Sequence, residues 1–172
     1  KPIYHSTVRT NKHTDPVWQI KWNTDDSKSL NFYSISSDGR VTNWTLMKNK
    51  LEPEEVIKLR FVNSDNKGLS DNQKEAFMFG LAGGMCFDFN QFERDLFLVG
   101  TEEGKIHLCS KAYSGQYMQT YDGHYLAVYS IKWNTYHPRI FLSCSADWTI
   151  KMWDKDIVRP LMNFAMGNAV GD

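Results

Sequence analysis

The stretch "SCSADWTIKMWD" at residues 143–154 packs two serines, a cysteine, two aspartates and two tryptophans into twelve positions. Hydroxyl, thiol and carboxylate side chains together can build a hydrolase active site. The same stretch ends on a Trp-Asp pair after an alternating run, as one unit of a repeated scaffold does. Comparison of the chain with itself separates these two interpretations.

The chain contains three copies of one unit. At an offset of 44 residues, residues 87–110 align with residues 131–154, and at an offset of 109, residues 32–44 align with residues 141–153. Further upstream, at an offset of 111, "HTDPVWQIKWN" (13–23) aligns with "HYLAVYSIKWN" (124–134). The difference of two residues falls in the polar stretch 24–29, where a turn accommodates it.

Each unit is predicted to hold four short strands. "VWQIKW" (17–22) alternates with period two, and "LNFYSIS" (30–36) and "RVTNWTL" (40–46) flank a tight turn at "SDG". "EEVIKLRF" (54–61) is the predicted fourth strand. Four strands in a unit of about 44 residues are typical of a propeller blade. We therefore predict an all-β fold, a partial β-propeller of three blades with stubs of two flanking blades.

The predicted segments follow from this alignment. The middle copy is degenerate, because it has Glu103 for the turn aspartate, Cys109 for the tryptophan and "AGGM" where the histidine should stand. Since three blades leave two sheet edges open, we interpret the chain as part of a longer propeller. We assign residues 1–10 to the last strand of a preceding blade, 11–61 to a blade, 62–84 to an insertion, 85–122 to the degenerate blade, 123–164 to a blade and 165–172 to the start of another.

Composition excludes several classes of protein. The 20 Lys and Arg residues balance 20 Asp and Glu residues among 172, whereas a nucleic-acid-binding protein is expected to carry a basic excess. No apolar stretch approaches the roughly 18 residues that span a bilayer, and the N-terminus lacks the apolar region of a signal peptide. Three scattered cysteines favour a reducing compartment. We expect a cytoplasmic or cytoskeletal protein with no nucleic-acid and no membrane partner.

Gly123-His124, Asp147 and Trp153-Asp154 resemble the WD40 repeat, and the first copy repeats most of the pattern. The resemblance implies a buried hydrogen-bonded network of loop histidine, turn aspartate, strand hydroxyl and tryptophan. Without partners, a buried indole N–H or imidazole costs about 1–3 kcal/mol. Each copy offers two serines for the hydroxyl, either Ser36 and Ser145 or Ser34 and Ser143. The assigned network residues are His13, Ser36, Asp38, Trp44, His124, Ser145, Asp147 and Trp153.

Three stretches resemble dynein intermediate chains more narrowly: "KHTDPVWQIKW" (12–22), "FLVGTEEGKIHLCSKAYS" (97–114) and "SCSADWTIKMWD". The similarity is greatest to axonemal intermediate chains of the outer arm. It implies a non-catalytic scaffold of a microtubule motor complex in the axoneme of a cilium or flagellum. In that family the propeller binds the dynein heavy-chain tail beside a second intermediate chain. Light chains bind an N-terminal region that this sequence does not contain.

No candidate site favours catalysis. Ser143, His124 and Asp147 suggest a catalytic triad, but the same residue types recur in the first copy, which a single active site does not explain. The five histidines lack metal-ligand spacing, and "GTEEGK" (100–105) lacks the spacing of a phosphate-binding loop. We expect no catalytic residue, no metal and no cofactor. A propeller hydrolase remains an alternative hypothesis, as does a generic WD40 adaptor such as a cytoplasmic dynein, ubiquitin-ligase or signalling scaffold.

The aromatic residues divide into core and candidate contact positions. Trp22, Phe89 and Trp133 share one repeated position, which predicts core. Trp148 follows the turn aspartate, where a large apolar side chain is hard to bury, so it is a candidate partner contact or packs on a neighbouring loop. Trp18 and Tyr129 are predicted to pack between blades or to contact a partner. The insertion 62–84 is interpreted as a surface loop or a docking element.

Overall fold

The computed structural model describes residues 3–23, 30–48, 50–61 and 80–167. They form three four-stranded antiparallel sheets with the strands hydrogen-bonded in chain order, and the prediction of an all-β partial propeller is confirmed. The first blade comprises β1 (Val17–Trp22), β2 (Asn31–Ser36), β3 (Arg40–Leu46) and β4 (Leu51–Lys58). The second comprises β5 (Gly84–Phe89), β6 (Leu96–Thr101), β7 (Lys105–Ser110) and β8 (Gln119–Asp122). The third comprises β9 (Val128–Trp133), β10 (Ile140–Ser145), β11 (Thr149–Asp154) and β12 (Met162–Ala165).

Two strand predictions need correction. β4 begins and ends three residues before the predicted 54–61 and includes Pro53. Proline is tolerated there because β4 is the edge strand of its sheet, where a missing N–H breaks no ladder. Residues 3–10 contain a 3-10 helix, η1 (Val8–Thr10), and no strand. β4 contacts η1 but is hydrogen-bonded only to β3, so this segment gains no ladder hydrogen bonds that would hold it as a strand.

Parts of two other predicted segments lie outside the described residues. These are residues 62–79 of the predicted insertion and residues 168–172 at the end of the chain. Leu81, which follows the first of these parts, forms an isolated antiparallel bridge with Arg60. The connection from the first blade to the second therefore returns to the end of the first blade before β5 begins.

The core lies between blades. Tyr33, Ile35 and Val41 of the first blade pack with Phe87 and Phe97 of the second. The opposite face of the second blade packs on the third, through a cluster that includes Leu98, Ile106, Tyr121, Ile131, Phe141 and Trp153. Because strand side chains alternate between faces, the sheet of the second blade contributes to both cores. The burial of apolar side chains on both faces of the second blade thus holds the three blades together.

Asp88 links all three blades by polar contacts. Its carboxylate is paired with Lys21 Nζ of the first blade and accepts a hydrogen bond from the Trp133 N–H of the third at 2.7 Å. The Asp88 carbonyl also accepts from Trp133 Nε1 at 3.2 Å. On the same strand, the Phe87 N–H donates to Gln19 Oε1 at 2.7 Å. These bonds fix how β1, β5 and β9 lie against one another.

The prediction that Trp22 is core is wrong. Its counterpart Trp133 is 6% exposed, whereas Trp22 is 62% exposed, and Ile20 and its counterpart Ile131 differ in the same way at 67% and 1%. Trp133 and Ile131 are covered by the second blade. No described residue forms a sheet in front of Trp22, so its burial depends on a neighbour rather than on its position in the blade.

Glycines in two hairpin turns allow the loop that leads into the next blade to lie directly against the turn. Gly39 and Gly104 have φ values of +75° and +83°, which favour glycine. A Cβ on Gly39 would lie 2.8 Å from Leu81 Cβ, and one on Gly104 would lie 2.9 Å from the Leu126 carbonyl oxygen. The loop that leads into the next blade therefore crosses directly over each of these turns.

We expect Gly104→Ala to lower the free energy of unfolding by about 1–3 kcal/mol, because it adds strain at a positive φ and a clash with the backbone of 124–126. Urea unfolding of the full-length protein measures the change. Gly115→Ala is the matched control, since a Cβ there meets no atom within 4 Å. Equal stability of the two variants would contradict the close crossing.

Candidate functional site

The third blade contains a continuous chain of buried side-chain hydrogen bonds. Trp153 Nε1 donates to Ser143 Oγ at 2.8 Å, and Ser143 Oγ lies 2.7 Å from His124 Nε2. His124 Nδ1 lies 2.9 Å from Asp147 Oδ2. His124 belongs to the loop before β9 and Asp147 to the turn after β10, so the chain ties this loop to this turn and to strand β11.

The first blade repeats the arrangement with nearly the same distances. Trp44 Nε1 donates to Ser34 Oγ at 2.7 Å, Ser34 Oγ lies 2.7 Å from His13 Nε2, and His13 Nδ1 lies 2.9 Å from Asp38 Oδ2. Arg40 adds a further bond to Asp38 from Nη2 at 2.7 Å. The structure therefore brings together the histidines, aspartates and tryptophans that the sequence assigned to the network.

The assignment of Ser36 and Ser145 to the network is wrong. Ser145 Oγ donates to the Leu126 carbonyl at 2.9 Å, and Ser36 Oγ donates to the Asp15 carbonyl at 3.0 Å. Both serines end their strands next to the turn, where backbone groups are within reach. Ser34 and Ser143 lie two residues earlier, beside the tryptophans, and supply the hydroxyl instead.

The degenerate second blade lacks the hydroxyl, the indole and the histidine of the network. Val99 stands at the position of Ser143 and Cys109 at that of Trp153, and both are fully buried in the core between the first two blades. Burial raises the pKa of the Cys109 thiol, which stays neutral. Glu103 replaces the aspartate, and among the described residues its Oε2 is buried without a hydrogen-bond partner. The equivalent site of this blade is therefore apolar apart from the Glu103 carboxylate, whose Oε1 accepts a hydrogen bond from the Gly83 N–H at 3.3 Å.

The third-blade network holds a neutral histidine beside an ionised aspartate. Burial opposes ionisation of Asp147, but hydrogen bonds from Thr149, His124 and the Tyr125 N–H lower its pKa to about 2. Burial also lowers the pKa of His124, and Asp147 offsets only part of that shift. We assign the tautomer from the network: Ser143 O–H donates to Nε2, and Nδ1–H donates to Asp147.

These bonds leave the serine, histidine and aspartate in a structural role. Ser143 is 2% exposed, and its oxygen already accepts the indole N–H of Trp153. A nucleophile needs access to substrate and an oxyanion site, which a buried and saturated hydroxyl does not offer. Within the described ranges, no three His, Cys, Asp or Glu side chains are grouped to hold a metal ion.

The part of the chain that the structure describes includes no helix long and apolar enough to cross a membrane.

Trp148 has a backbone conformation that the sequence did not reveal. Its φ is +65° and it is 51% exposed, in the turn position that Gly39 and Gly104 occupy in the other blades. A bulky residue in the left-handed region is disfavoured by about 1–2 kcal/mol. The offset alignment that pairs Trp148 with two glycines was the available signal of this strain.

Trp18 and Tyr129, the other candidate contact residues, are about half exposed at 53% and 46%. They occupy the same position in β1 and β9. Trp18 Nε1 donates to Ser37 Oγ at 2.7 Å, which fixes the indole beside the turn of its own blade. About half of the surface of each side chain is therefore buried, and the other half is exposed to solvent.

The family model described as "WD domain, G-beta repeat" matches residues 115–154. "Dynein intermediate chain 2, ciliary" of Heliocidaris crassispina is 51% identical over 99% of this chain, and "Dynein axonemal intermediate chain 1" of Bos taurus is 47% identical over 98%. The chain is a WD40-repeat protein of the dynein intermediate chain family. The resemblance identified from the sequence is confirmed.

The relatives are much longer than the chain. It spans 24% of the length of both proteins, and 26% of the "Dynein, 78 kDa intermediate chain, flagellar outer arm" of Chlamydomonas reinhardtii, to which it is 49% identical over 100% of its length. The WD40 propeller of Doa1 superposes with a TM-score of 0.64 at 20% identity, over 92% of this chain and 43% of that one. This second likeness shows the fold alone, a part of a propeller.

We expect Trp153→Ala to cost about 3–5 kcal/mol of unfolding free energy, because it empties a buried site and leaves Ser143 with one partner fewer. Trp148→Gly is the matched tryptophan variant in the same hairpin. It relieves the positive φ and is expected to change stability by less than about 1 kcal/mol. Urea unfolding of the full-length intermediate chain measures both, and a similar large loss for Trp148→Gly would contradict this reading.

We also expect acid to destabilise the propeller. The folded-state pKa values of His124 and Asp147 lie below their ordinary values of 6.5 and 3.8, so the unfolded chain binds more protons. The free energy of unfolding has its full value above about pH 7. It decreases as the pH drops through about 6.5, and it decreases again below about pH 4. His107, whose pKa burial lowers to about 4, adds to the first decrease.

Urea unfolding at a series of pH values tests this expectation. His124→Gln should reduce the decrease near pH 6.5 and retain the one near pH 4, because Asp147 keeps its bonds from Thr149 and Tyr125. A stability that increased on acidification through pH 6.5 would show that His124 is charged in the folded protein.

Proposed function

We propose that this chain contributes to a non-catalytic scaffold of an axonemal dynein complex, and that its propeller binds the dynein heavy-chain tail. On this proposal the scaffold supports assembly of the motor and ciliary motility in the axoneme of a cilium or flagellum. The supporting comparison is the 47–51% identity to proteins named as ciliary, flagellar or axonemal dynein intermediate chains. The same likeness favours dynein over a generic WD40 adaptor.

The observation that supports a binding role is the contrast between the buried polar side chains of the blades and their exposed apolar side chains. The residues that suggest catalysis, such as Ser143 and His124, are buried and hydrogen-bonded to one another. Large apolar side chains, including Trp148 and Tyr125, are instead exposed on the same rim. Buried polar groups and exposed aromatic groups are the pattern expected of an interaction module rather than of an enzyme.

The fold supplies stiffness to this surface. Apolar cores join the blades, and Asp88 adds polar links to both neighbours of its own blade. Loops held in this way lose little conformational entropy when a partner binds, which favours affinity. We propose Trp148, Trp18 and Tyr129 as partner contacts. A second intermediate chain is the further partner, and light chains bind through regions outside this sequence.

We expect full-length intermediate chain to retain a recombinant fragment of the heavy-chain tail in a pull-down. The WD40 propeller of Doa1, which shares the fold at 20% identity, is the control for fold-dependent adhesion. No retention by a folded, full-length chain would refute the proposal. Labelling of Ser143 by a fluorophosphonate probe would favour the hydrolase hypothesis, and we expect none because the hydroxyl is buried.

A further inference from the structure

The open face of the first blade has the same side-chain arrangement as a face that packs on a neighbouring blade. Trp22 meets Phe32 edge-on with 5.5 Å between ring centroids, and Phe32 stacks with Trp44 at 6.3 Å. The third blade repeats both ring pairs at 5.4 and 6.0 Å and packs them on the second blade. The residues of this repeated row are Trp133, Phe141 and Trp153. We call Ile20, Trp22 and Phe32 the first-blade face, which is preformed as an inter-blade surface.

The covered counterpart shows which polar groups such a face presents to its neighbour. The Trp133 N–H donates to Asp88 Oδ2 at 2.7 Å, and Trp133 Nε1 donates to the Asp88 carbonyl at 3.2 Å. Asn134 N–H donates to the Ile140 carbonyl within its own sheet. Because the N–H groups of an antiparallel strand point alternately toward and away from the paired strand, the Trp133 N–H points out of the sheet toward the second blade.

Trp22 offers the same two donors on the first-blade face. Asn23 N–H donates to the Asn31 carbonyl as Asn134 N–H does to Ile140, so the Trp22 N–H also points away from β2. Its indole N–H can only donate. A neighbour that covers this apolar face therefore has to supply two acceptors as well as apolar side chains, since buried donors without acceptors oppose packing.

A second open face lies on the third blade. Leu142 and Phe164 are 45% and 46% exposed, whereas their counterparts in the second blade, Leu98 and Tyr121, are fully buried against the third blade. By position, this third-blade face corresponds to the surface that the second blade packs on Trp133. A second copy of this chain could bring it onto the first-blade face with apolar side chains on both sides.

Charge distinguishes a second copy from another kind of blade. Asp88, which accepts from Trp133, has the exposed residue Lys132 at its position in the third blade. Lys21 stands there in the first blade, so only the second of the three blades has a carboxylate at this position. An ammonium group accepts no hydrogen bond. Head-to-tail packing of two copies would therefore bury the Trp22 N–H against a cation, and the two open faces are not complementary.

We propose that the first-blade face is covered by a further blade of the full-length intermediate chain, whose first strand carries an Asp or Glu side chain that accepts from the Trp22 N–H. The length of the relatives supports the presence of further chain, because this chain spans 24% of two of them. The bonds of Asp88 to Trp133 supply the chemistry of the contact. The proposal concerns assembly of the propeller and does not depend on heavy-chain binding.

Photo-crosslinking in the full-length intermediate chain tests the proposal. The photoreactive amino acid p-benzoylphenylalanine replaces Trp22 in one variant and Trp133 in the matched control, and mass spectrometry identifies the residues that are joined. We expect both variants to crosslink within one molecule. The control should join to Asp88 or a residue beside it, and the Trp22 variant should join to the first strand of another blade, at or beside an Asp or Glu.

Conservative variants test the same contact without the bulky probe. Trp22→Phe and Trp133→Phe each remove one indole donor, and we expect both to lower the melting temperature of the full-length chain by a similar few degrees. If Trp22 is exposed to solvent in the full-length chain, Trp22→Phe should leave the melting temperature within about 1 °C of the wild type. These two variants decide the question if the crosslinking variant does not fold.

The results that overturn the proposal differ in what they show. A crosslink from position 22 to a second copy, seen as a covalent dimer, means that the face is a contact between molecules. A crosslink to a strand without Asp or Glu beside the joined residue refutes the carboxylate partner. Failure of a folded Trp22 variant to crosslink, or an unchanged melting temperature of Trp22→Phe, shows that no blade covers the face. Retention of the heavy-chain tail is a separate measurement, so the scaffold role stands or fails independently.

Discussion

The hydrogen-bonded chain from Trp153 through Ser143 and His124 to Asp147 is the constraint on which the third blade depends. It spans the sheet from strand β11 to the inter-blade loop and ends on the carboxylate that shapes the hairpin turn. The direction of each bond is set by the indole N–H, which can only donate. Burial favours the neutral imidazole of His124, which accepts from Ser143 and donates to Asp147, and the loop and turn that carry the exposed aromatic residues are fixed as one unit.

In the second blade the hydroxyl, the indole and the histidine of the network are all replaced, and only the bond from the loop N–H of Gly83 to the turn carboxylate of Glu103 is retained. With Val99 and Cys109 in place of the hydroxyl and the indole, no buried donor is left without an acceptor at that site. A partly satisfied polar network is less stable than an apolar core, because each unpaired buried group retains its full desolvation cost. Glu103 is what remains, with one oxygen unpartnered among the described residues. The propeller therefore relies on packing between blades for its fold and on the network for the geometry of individual rims.

Much of the fold was predictable because it depends on local pattern. The repeat, the alternation of β1 and the turn at Asp38 and Gly39 are properties of neighbouring residues, and they predicted the strands of the first blade to within three residues. Residues 3–10 failed as a strand for a different reason. A strand needs a hydrogen-bonded neighbour, and the place of a segment in the repeat does not show whether that neighbour exists.

The sequence by itself determined the family, the repeated unit and the residue types of the network, since each of these is encoded in spacing along the chain. Only the tertiary structure decided which serine completes the network, because Ser143 and Ser145 lie on the same face of one strand and differ only in what stands beside them. Exposure was decided in the same way: Trp22 and Trp133 are equivalent in sequence, but only Trp133 is covered by another blade. The positive φ of Trp148 is likewise imposed by the hairpin that contains it. Contacts between distant segments set these properties, and the spacing of residues along the chain does not predict such contacts.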